Sequence, residues 1–229
     1  MIRAAIFDLD GTAGYTMPPL QKGMNEMLSH FGYPTHTVEE LLQWVNWAPR
    51  AWVGGALPEG LSDEQFERCF AEYNRCYEKY YLETEYYPGF GELIARLKAD
   101  GVKTAMLSNK QHKHVVALAR KLSGVPADEG EPETFGPAGD YEFAWGISDR
   151  YPQKPDPASA LAMAELLGVK PEECAFVGDS EVDVNTARNA RMVQISVTWG
   201  YRSRAFHEAL GVTNLADNAE ELYTLLRTL

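Results

Sequence analysis

The chain has 229 residues, of which 45% are hydrophobic and 24% are charged. This length and composition predict a folded chain of one domain, or of one domain that carries a smaller insertion, and they exclude a disordered tail or a fibrous repeat. Lysine and arginine total 21 against 33 aspartates and glutamates, which gives a formal net charge of −12. Such a charge disfavours nucleic acid and anionic lipid as partners.

The cysteines and the lengths of the apolar runs indicate in which cellular compartment the protein is expected. Cys69, Cys76 and Cys174 form no CxxC pair, which is typical of reduced thiols rather than of a disulfide framework or a thiolate zinc site. No stretch has the roughly 18 to 20 apolar residues of a membrane span, and the apolar start of the chain is shorter than the roughly 7 to 15 residues of a signal-peptide core. We therefore expect a cytoplasmic protein with no membrane partner.

The first predicted element is a central strand over the apolar run Ile2–Phe7, followed by Asp8-Leu9-Asp10-Gly11-Thr12. Because side chains alternate along an extended chain, Asp8 and Asp10 should point the same way. At a separation of about 4 Å and an effective dielectric constant near 20, two carboxylates repel by roughly 4 kcal/mol, so the pair needs a cation or a bound proton. One acid can then serve as nucleophile or metal ligand while the other transfers a proton, although an ordinary Asp-Gly turn is the alternative.

The next segment lacks strand patterns. From Tyr15 to about Glu85 the sequence has helix signals only, and Thr37–Glu40 and Ser62–Gln65 match the capping box of a helix start. These signals predict an inserted unit of at least three helices, with most of its aromatic side chains in its core. The aromatic residues are Trp44, Trp47, Trp52, Tyr73, Tyr77, Tyr80 and Tyr81.

Strand and helix patterns alternate in the rest of the chain. Strands are predicted at Val102–Leu107, Cys174–Val177 and Val193–Val197, and helices at Phe90–Ala99, His112–Leu122, Pro157–Leu167 and Asp183–Arg191. This alternation predicts an α/β fold with a parallel sheet that binds its ligands at the carboxyl ends of the strands. The stretch Ser123–Asp140 is interpreted as an irregular surface connection.

Three later motifs add polar groups to the same edge of the sheet. Gly178–Asp183 (GDSEVD) brings Asp179 and Asp183, and a cluster of four carboxylates suits Mg²⁺, although either acid could instead cap the following helix. Ser108-Asn109-Lys110 offers a hydroxyl and backbone N–H groups to an anion, and Lys154 in the sequence KPDP offers a point charge. A solvated surface lysine is the alternative for Lys154.

The four motifs DLDGT, SNK, KPDP and GDSEVD, in this order, resemble those of the haloacid dehalogenase superfamily, in particular its phosphoglycolate phosphatase-like members with a helical cap. The resemblance covers essentially the whole chain. It implies an α/β fold with a Rossmann-like three-layer core over residues 1–14 and 86–229, and an inserted α-helical cap domain over residues 15–85. It also implies a Mg²⁺-dependent phosphatase that acts on small phosphorylated metabolites, with phosphoglycolate as the suggested substrate and a monomer or homodimer as the expected assembly.

The resemblance also implies roles for individual residues. Asp8 would form an aspartyl-phosphate, and Asp10 would be the general acid for the leaving group and then the general base for water. The phosphoryl group would be bound by Ser108, Asn109 and Lys154. Mg²⁺ would be bound by Asp8, by the backbone carbonyl of Asp10 and by Asp179, with Asp183 acting directly or through water.

Some positions depart from the family pattern or leave alternatives open. Arg191 stands where a glycine is usual, which predicts strain at a helix end. Arg50 is a weak candidate for binding a substrate carboxylate or second anion, and a solvated arginine is the more common case. Asp10 favours phosphoryl transfer over dehalogenation, because a halide leaves without a proton. A β-phosphoglucomutase-like phosphotransferase, a noncatalytic phospho-ligand-binding protein and a phosphoprotein phosphatase remain alternatives.

Overall fold

The computed structural model describes residues 1–45, 48–126 and 135–229. Trp47 of the predicted aromatic core, and residues 127–134 of the predicted connection Ser123–Asp140, lie outside these ranges. The chain forms two compact units: residues 1–15 together with 85–229, and residues 16–84.

The elements are numbered in chain order. The strands are β1 (Ala4–Phe7), β2 (Gly14–Tyr15), β3 (Glu85–Tyr86), β4 (Lys103–Gln111), β5 (Phe143–Ile147), β6 (Cys174–Gly178), β7 (Val193–Val197) and β8 (Leu215–Ala216). The α-helices are α1 (Met17–His30), α2 (Val38–Leu41), α3 (Pro49–Ala56), α4 (Asp63–Tyr77), α5 (Phe90–Ala99), α6 (His112–Leu122), α7 (Ala158–Leu167), α8 (Glu181–Ala190), α9 (Arg204–Ala209) and α10 (Ala219–Thr228). Short 3₁₀ turns occupy Tyr81–Glu83 and Pro171–Glu173.

The first unit is built on a six-stranded parallel sheet in the order β5-β4-β1-β6-β7-β8. Strand β1 is central and completely buried, as its apolar sequence predicts. Its last residue, Phe7, pairs with Met106 of β4 on one side and with Val177 of β6 on the other. The predicted α/β fold with a parallel sheet and inserted helices is thus confirmed, and the loops after β1, β4 and β6 begin at the same edge of the sheet.

Four strands, β2, β3, β5 and β8, were not predicted, and β4 ends later than predicted. β4 continues through the SNK motif to Gln111 instead of ending at Leu107, with an irregular register between Leu107 and Gln111. β5 was not predicted at all; it lies at the edge of the sheet beside β4. Trp145 of β5 packs in the buried core cluster with residues of β1, β4 and α7.

The second unit is all-helical within its described residues, and α1 packs against α4. Gly23 allows the close approach, because a Cβ there would lie 3.1 Å from the Cα atom of Tyr77. Both predicted capping boxes are present, at the starts of α2 and α4. Of the predicted aromatic core, Trp52, Tyr73 and Tyr77 are buried, whereas Trp44, Tyr80 and Tyr81 are half-buried.

Two local backbone features lie outside the main sheet and its helices. Strands β2 and β3 form a separate antiparallel ribbon, so the chain enters and leaves the helical insert at neighbouring positions. Arg191, directly after α8, has φ = 56°, which is the left-handed backbone conformation that glycine adopts without strain. Within the described residues, none of the helices combines the length and the apolar character that crossing a bilayer requires.

Candidate active site

The carboxylates of Asp8, Asp179 and Asp183 form a buried cluster at the carboxyl edge of the sheet. Asp8 follows β1, Asp179 follows β6, and Asp183 lies in the first turn of α8. One carboxylate oxygen from each lies within 4.8 Å of the other two. Oxygen-rich clusters of this kind can bind a divalent metal ion.

Lys154 connects two members of this acid cluster. Its Nζ atom lies 2.9 Å from Oδ1 of Asp8 and 2.6 Å from Oδ1 of Asp183, and only 3% of its side chain is exposed. The backbone of Lys154 is held by Asn109, whose amide donates to the carbonyl oxygen of Lys154 and accepts from its N–H group, both at 2.9 Å. Asn109, predicted to bind phosphate, therefore uses both polar atoms of its side chain to hold the loop that carries Lys154.

Asp183 is oriented by the start of its own helix. Ser180 is the N-cap of α8, and its backbone N–H and hydroxyl groups both donate to Oδ2 of Asp183, at 3.1 and 2.6 Å. Asp183 is therefore the third helical residue of a capping box, not the N-cap itself. This arrangement leaves Oδ1 of Asp183 facing Lys154.

Asp179 is oriented by two loops. Thr12 donates its hydroxyl to Oδ1 at 3.2 Å, and the backbone N–H group of Tyr201 donates to Oδ2 at 2.7 Å. The indole N–H of Trp199 donates to the carbonyl oxygen of Thr12 at 3.0 Å and so ties the two loops together. A Cβ at Gly200 would overlap the Gly11 carbonyl oxygen and the Asp179 side chain, so only glycine allows this approach.

Asp10 belongs to a second set of contacts beside the acid cluster. Its Oδ1 atom forms an ion pair with Nζ of Lys110 at 2.7 Å, and Ser108 Oγ lies 3.5 Å from its Oδ2 atom. Ser108 also accepts a hydrogen bond from the backbone N–H group of Lys110 at 3.2 Å. The acids of the first motif thus each have a lysine partner, Lys154 for Asp8 and Lys110 for Asp10.

The pKa values of the buried acids are raised chiefly by burial and further by the neighbouring carboxylates. Burial raises the pKa of Asp8 to about 7; Lys154 opposes this rise, whereas Asp183 and Asp10 add to it. Burial also raises the pKa of Asp179, together with the charges of Asp183 and Asp8. For Lys154 the two neighbouring carboxylates outweigh burial and raise its pKa.

A divalent cation fits this set of groups. The four acids Asp8, Asp10, Asp179 and Asp183 oppose the two lysines Lys110 and Lys154, which leaves two negative charges uncompensated among these groups. The donors available to a cation are carboxylate oxygens, the ligand type that Mg²⁺ prefers. Bound there, the cation would favour the ionised forms of Asp8 and Asp179 and so oppose the rise in their pKa values that burial and the neighbouring carboxylates cause.

Arg50, the remaining predicted site residue, is the second residue of α3 in the helical insert. Its guanidinium group is paired with the carboxylate of Glu67 and lies 4.8 and 5.0 Å from the ring centres of Phe66 and Phe70. To bind a substrate anion, Arg50 would first have to break its ion pair with Glu67.

Sequence analysis missed several groups that orient the predicted acids. Ser180, Thr12 and Tyr201 lie inside or beside motifs that were recognised, but their partners depend on side-chain direction and on a backbone N–H group. Lys110 of the SNK motif forms an ion pair with Asp10 of the DLDGT motif. A signal for it exists: once Asp10 is expected at the edge shared by β1 and β4, a cation in the adjacent SNK motif is a natural partner for it.

Comparison with known protein families gives a match over most of the chain. The family model described as haloacid dehalogenase-like hydrolase matches residues 2–191. The chain is 32% identical to phosphoglycolate phosphatase 1 of Pseudomonas aeruginosa, over 96% of this chain and 78% of that protein. It is 31% identical to a phosphoglycolate phosphatase of Pseudomonas putida, over 87% of this chain and 70% of that protein.

Solved structures with the same fold include two of interest. A crystal structure from Lactobacillus delbrueckii subsp. bulgaricus, of the phosphoglycolate phosphatase type, has a TM-score of 0.85 and 29% identity and covers 98% of both chains. CbbY from Rhodobacter sphaeroides, solved in complex with xylulose-1,5-bisphosphate, has a TM-score of 0.75 and 22% identity, and covers 97% of this chain and 96% of its own. The latter likeness concerns the fold alone.

Proposed function

The chain belongs to the haloacid dehalogenase-like hydrolases, as its four motifs predict, and on this premise we propose that it is a Mg²⁺-dependent phosphatase of small phosphate monoesters that works through an aspartyl-phosphate. One observation carries the proposal: the buried acids Asp8, Asp179 and Asp183 are joined to Lys154 in a single cluster. A phosphoryl group is negatively charged, so it can approach these acids only if cations are close by. The ammonium group of Lys154 is one such cation, and a bound metal ion would be the other.

Asp8 is the nucleophile in this proposal. A carboxylate oxygen of Asp8 attacks the phosphorus atom, the bond from phosphorus to the ester oxygen breaks, and an aspartyl-phosphate forms. Lys154 lies within hydrogen-bond distance of Asp8. Its positive charge reduces the repulsion between the anionic nucleophile and the anionic phosphoryl group. Asn109 keeps Lys154 in place by its two backbone hydrogen bonds.

Asp10 transfers the proton. It gives a proton to the ester oxygen as the alcohol leaves, because an alkoxide is a poor leaving group. In the second step it takes a proton from water as the water oxygen attacks phosphorus and Asp8 is released as a carboxylate. Ser108, which lies beside Asp10, contributes a hydroxyl to the phosphoryl oxygens.

The residues that would hold Mg²⁺ are Asp8, Asp179, Asp183 and the backbone carbonyl of Asp10. When bound, the ion neutralises negative charge on the phosphoryl group and on its acidic ligands. Thr12 and Tyr201 hold the two oxygens of Asp179 in a fixed orientation, and Ser180 does the same for Asp183. The chain thus supplies partners that orient these ligands.

The substrate is a small phosphorylated metabolite in this proposal, and 2-phosphoglycolate is the first candidate. The support is the relationship to proteins named phosphoglycolate phosphatase at 31 and 32% identity. In the proposed reaction Asp8, Asp10 and Lys154 act only on the phosphoryl group and the ester oxygen. Their roles are therefore compatible with other phosphate monoesters as well.

The test is phosphate release from a panel of esters with and without Mg²⁺. The panel contains 2-phosphoglycolate, sugar phosphates, nucleoside monophosphates and p-nitrophenyl phosphate, and the matched control is Asp8→Asn. We expect release that requires both Mg²⁺ and Asp8, with the best ester identifying the substrate. Near-normal activity of Asp8→Asn would exclude Asp8 as nucleophile. Failure of the wild-type chain to release phosphate from any ester would contradict the proposal and favour a phosphomutase, a phosphoprotein substrate or a binding role.

A further inference from the structure

The proposed reaction gives no role to Lys110, although its ammonium group is paired with Asp10. Only 7% of its side chain is exposed, and its partner Asp10 is 15% exposed. An ion pair shielded from water in this way holds its two groups more firmly than a solvated pair does, because solvent screens it less.

The contacts of Lys110 and Ser108 distinguish the two oxygens of Asp10. The ammonium group of Lys110 lies 2.7 Å from Oδ1, whereas the hydroxyl group of Ser108 faces Oδ2 at 3.5 Å. Each oxygen of Asp10 therefore has a different neighbour, and only Oδ2 faces the residue to which the proposed function gives a phosphoryl contact.

This distinction determines which oxygen can carry the transferred proton. A lysine ammonium group donates hydrogen bonds and accepts none, so the oxygen bonded to it acts as an acceptor. A protonated Asp10 can keep its bond from Lys110 only if Oδ1 is the acceptor and the proton is on Oδ2. Lys110 thus selects the oxygen on the side of Ser108 for proton transfer.

We propose that Lys110 is a positioning residue, which holds Oδ1 of Asp10 so that Oδ2 exchanges the proton with the leaving group and with water. The inference rests on the proposed function, since it concerns the acid of that reaction. In the first step the O–H bond of Oδ2 breaks as the ester oxygen takes the proton and leaves phosphorus. In the second step Oδ2 takes a proton from the attacking water, the oxygen of which bonds to phosphorus, and the bond from phosphorus to Asp8 breaks.

The effect of losing this contact follows from the geometry. Misplacing a reacting group by about 1 Å can cost roughly 100-fold in rate. Without Lys110 the carboxyl group of Asp10 can rotate and present either oxygen in either direction. The loss should fall on substrates that need an acid, and it should disappear when Asp10 itself is absent.

The experiment compares Lys110→Met with Lys113→Met, the same substitution at an exposed position three residues further on. For each variant, kcat/KM is measured with an alkyl phosphate and with p-nitrophenyl phosphate, at saturating Mg²⁺. This parameter covers the steps up to departure of the leaving group, so it reports on Asp10 as acid and not as base. The same pair of esters is then measured for Asp10→Asn and for the double variant Asp10→Asn with Lys110→Met.

We expect Lys110→Met to lower kcat/KM by roughly 10- to 100-fold for the alkyl ester and by no more than about threefold for the nitrophenyl ester, whose leaving group needs little protonation. Lys113→Met should match the wild type. The double variant should be no slower than Asp10→Asn alone, because coupled residues give non-additive losses. If Lys110→Met does not fold, Lys110→Arg is measured instead; it moves the donor and should show the same preferential loss with the alkyl ester.

Three results would overturn the inference: an unchanged rate for Lys110→Met, equal losses with the two esters, or a further loss in the double variant. The last result would mean that Lys110 contacts the substrate directly. Each of these is distinct from failure of the proposed function, which would appear as an inactive wild-type chain.

Discussion

Lys154 and Asp183 form an ion pair in which the Nζ–Oδ1 distance is 2.6 Å and almost no side-chain surface is exposed, 3% for Lys154 and 2% for Asp183. The same ammonium group lies 2.9 Å from Asp8. One lysine therefore compensates two buried carboxylates that come from different loops. Charges buried in this way are costly when their partner is removed.

Replacing Lys154 by methionine should therefore affect stability as well as turnover. We expect Lys154→Met to lower the free energy of unfolding of the metal-free protein by about 3 to 5 kcal/mol, because it leaves Asp8 and Asp183 buried without their partner. Phosphate release should also be lost. Denaturant unfolding of Lys98→Met is the control, since Lys98 forms an exposed ion pair with Asp140 that should contribute only about 0 to 1 kcal/mol. Equal effects of the two substitutions would contradict this view of the site.

Binding of Mg²⁺ should become tighter as the pH rises. Burial raises the pKa of Asp8 to about 7, so a proton competes with the metal below that pH. We expect the affinity to increase between pH 5.5 and pH 8 and binding to release protons, as measured by calorimetry in buffers of different ionisation enthalpy. Equal affinity at both pH values would count against Asp8 as a ligand.

The same pKa shift has a consequence for the metal-free protein. The folded state holds a proton on Asp8 that the unfolded state releases near pH 3.8. The resulting stabilisation is therefore fully present below that pH and is lost as the pH rises through about 7. The Asp8→Asn variant should show a flatter dependence of unfolding free energy on pH.

Because Gly200 packs closely against Asp179, adding a single methyl group at position 200 should disturb both the metal site and the fold. Gly200→Ala should weaken Mg²⁺ binding by at least about tenfold and destabilise the fold by roughly 1 to 3 kcal/mol, because the new Cβ would overlap Gly11 and Asp179. Gly54→Ala is the control: its Cβ would meet Phe66 at an ordinary 3.5 Å within a helix. Unchanged Mg²⁺ affinity of Gly200→Ala would show that the 198–202 loop does not orient Asp179.

Arg191 offers a prediction that is independent of function. Its φ of 56° strains a residue that has a Cβ atom, so Arg191→Gly should raise the free energy of unfolding by about 0.5 to 1 kcal/mol. Arg191→Ala serves as the matched control, since it removes the same long side chain but keeps the Cβ. If both variants melt at the same temperature, the backbone at this position carries no measurable strain.

The fold was predictable from the sequence where hydrophobic runs end at glycine or polar residues. Val193–Val197, Phe90–Ala99 and His112–Leu122 have the bounds that the pattern predicts. The edge strand β5 was missed although its sequence FAWGI is apolar and is followed by the polar residues Ser148 and Asp149; its interior glycine is the residue that weakens the pattern of a strand.

The candidate site was predictable only as a set of motifs. Parallel strands bring Asp8, Asp179 and Ser108 to one edge, and that follows from the alternation of strands and helices. The nearness of the SNK motif suggests Lys110 as a partner of Asp10 but does not fix the pairing, because the register of β4 is irregular after Leu107 and alternation no longer determines where Lys110 points. Hydrogen bonds such as that from the backbone of Tyr201 to Asp179 depend on loop conformation, which no residue pattern specifies.

The ribbon of β2 and β3 places the two ends of the helical insert side by side. Gly14 pairs with Tyr86 and Tyr15 with Glu85, so the two points of departure are antiparallel neighbours about 5 Å apart. A two-residue turn can close such a pair. In terms of chain connectivity alone, an Asn-Gly hairpin could therefore replace residues 16–84, and helical segments of other lengths could be joined at the same two points.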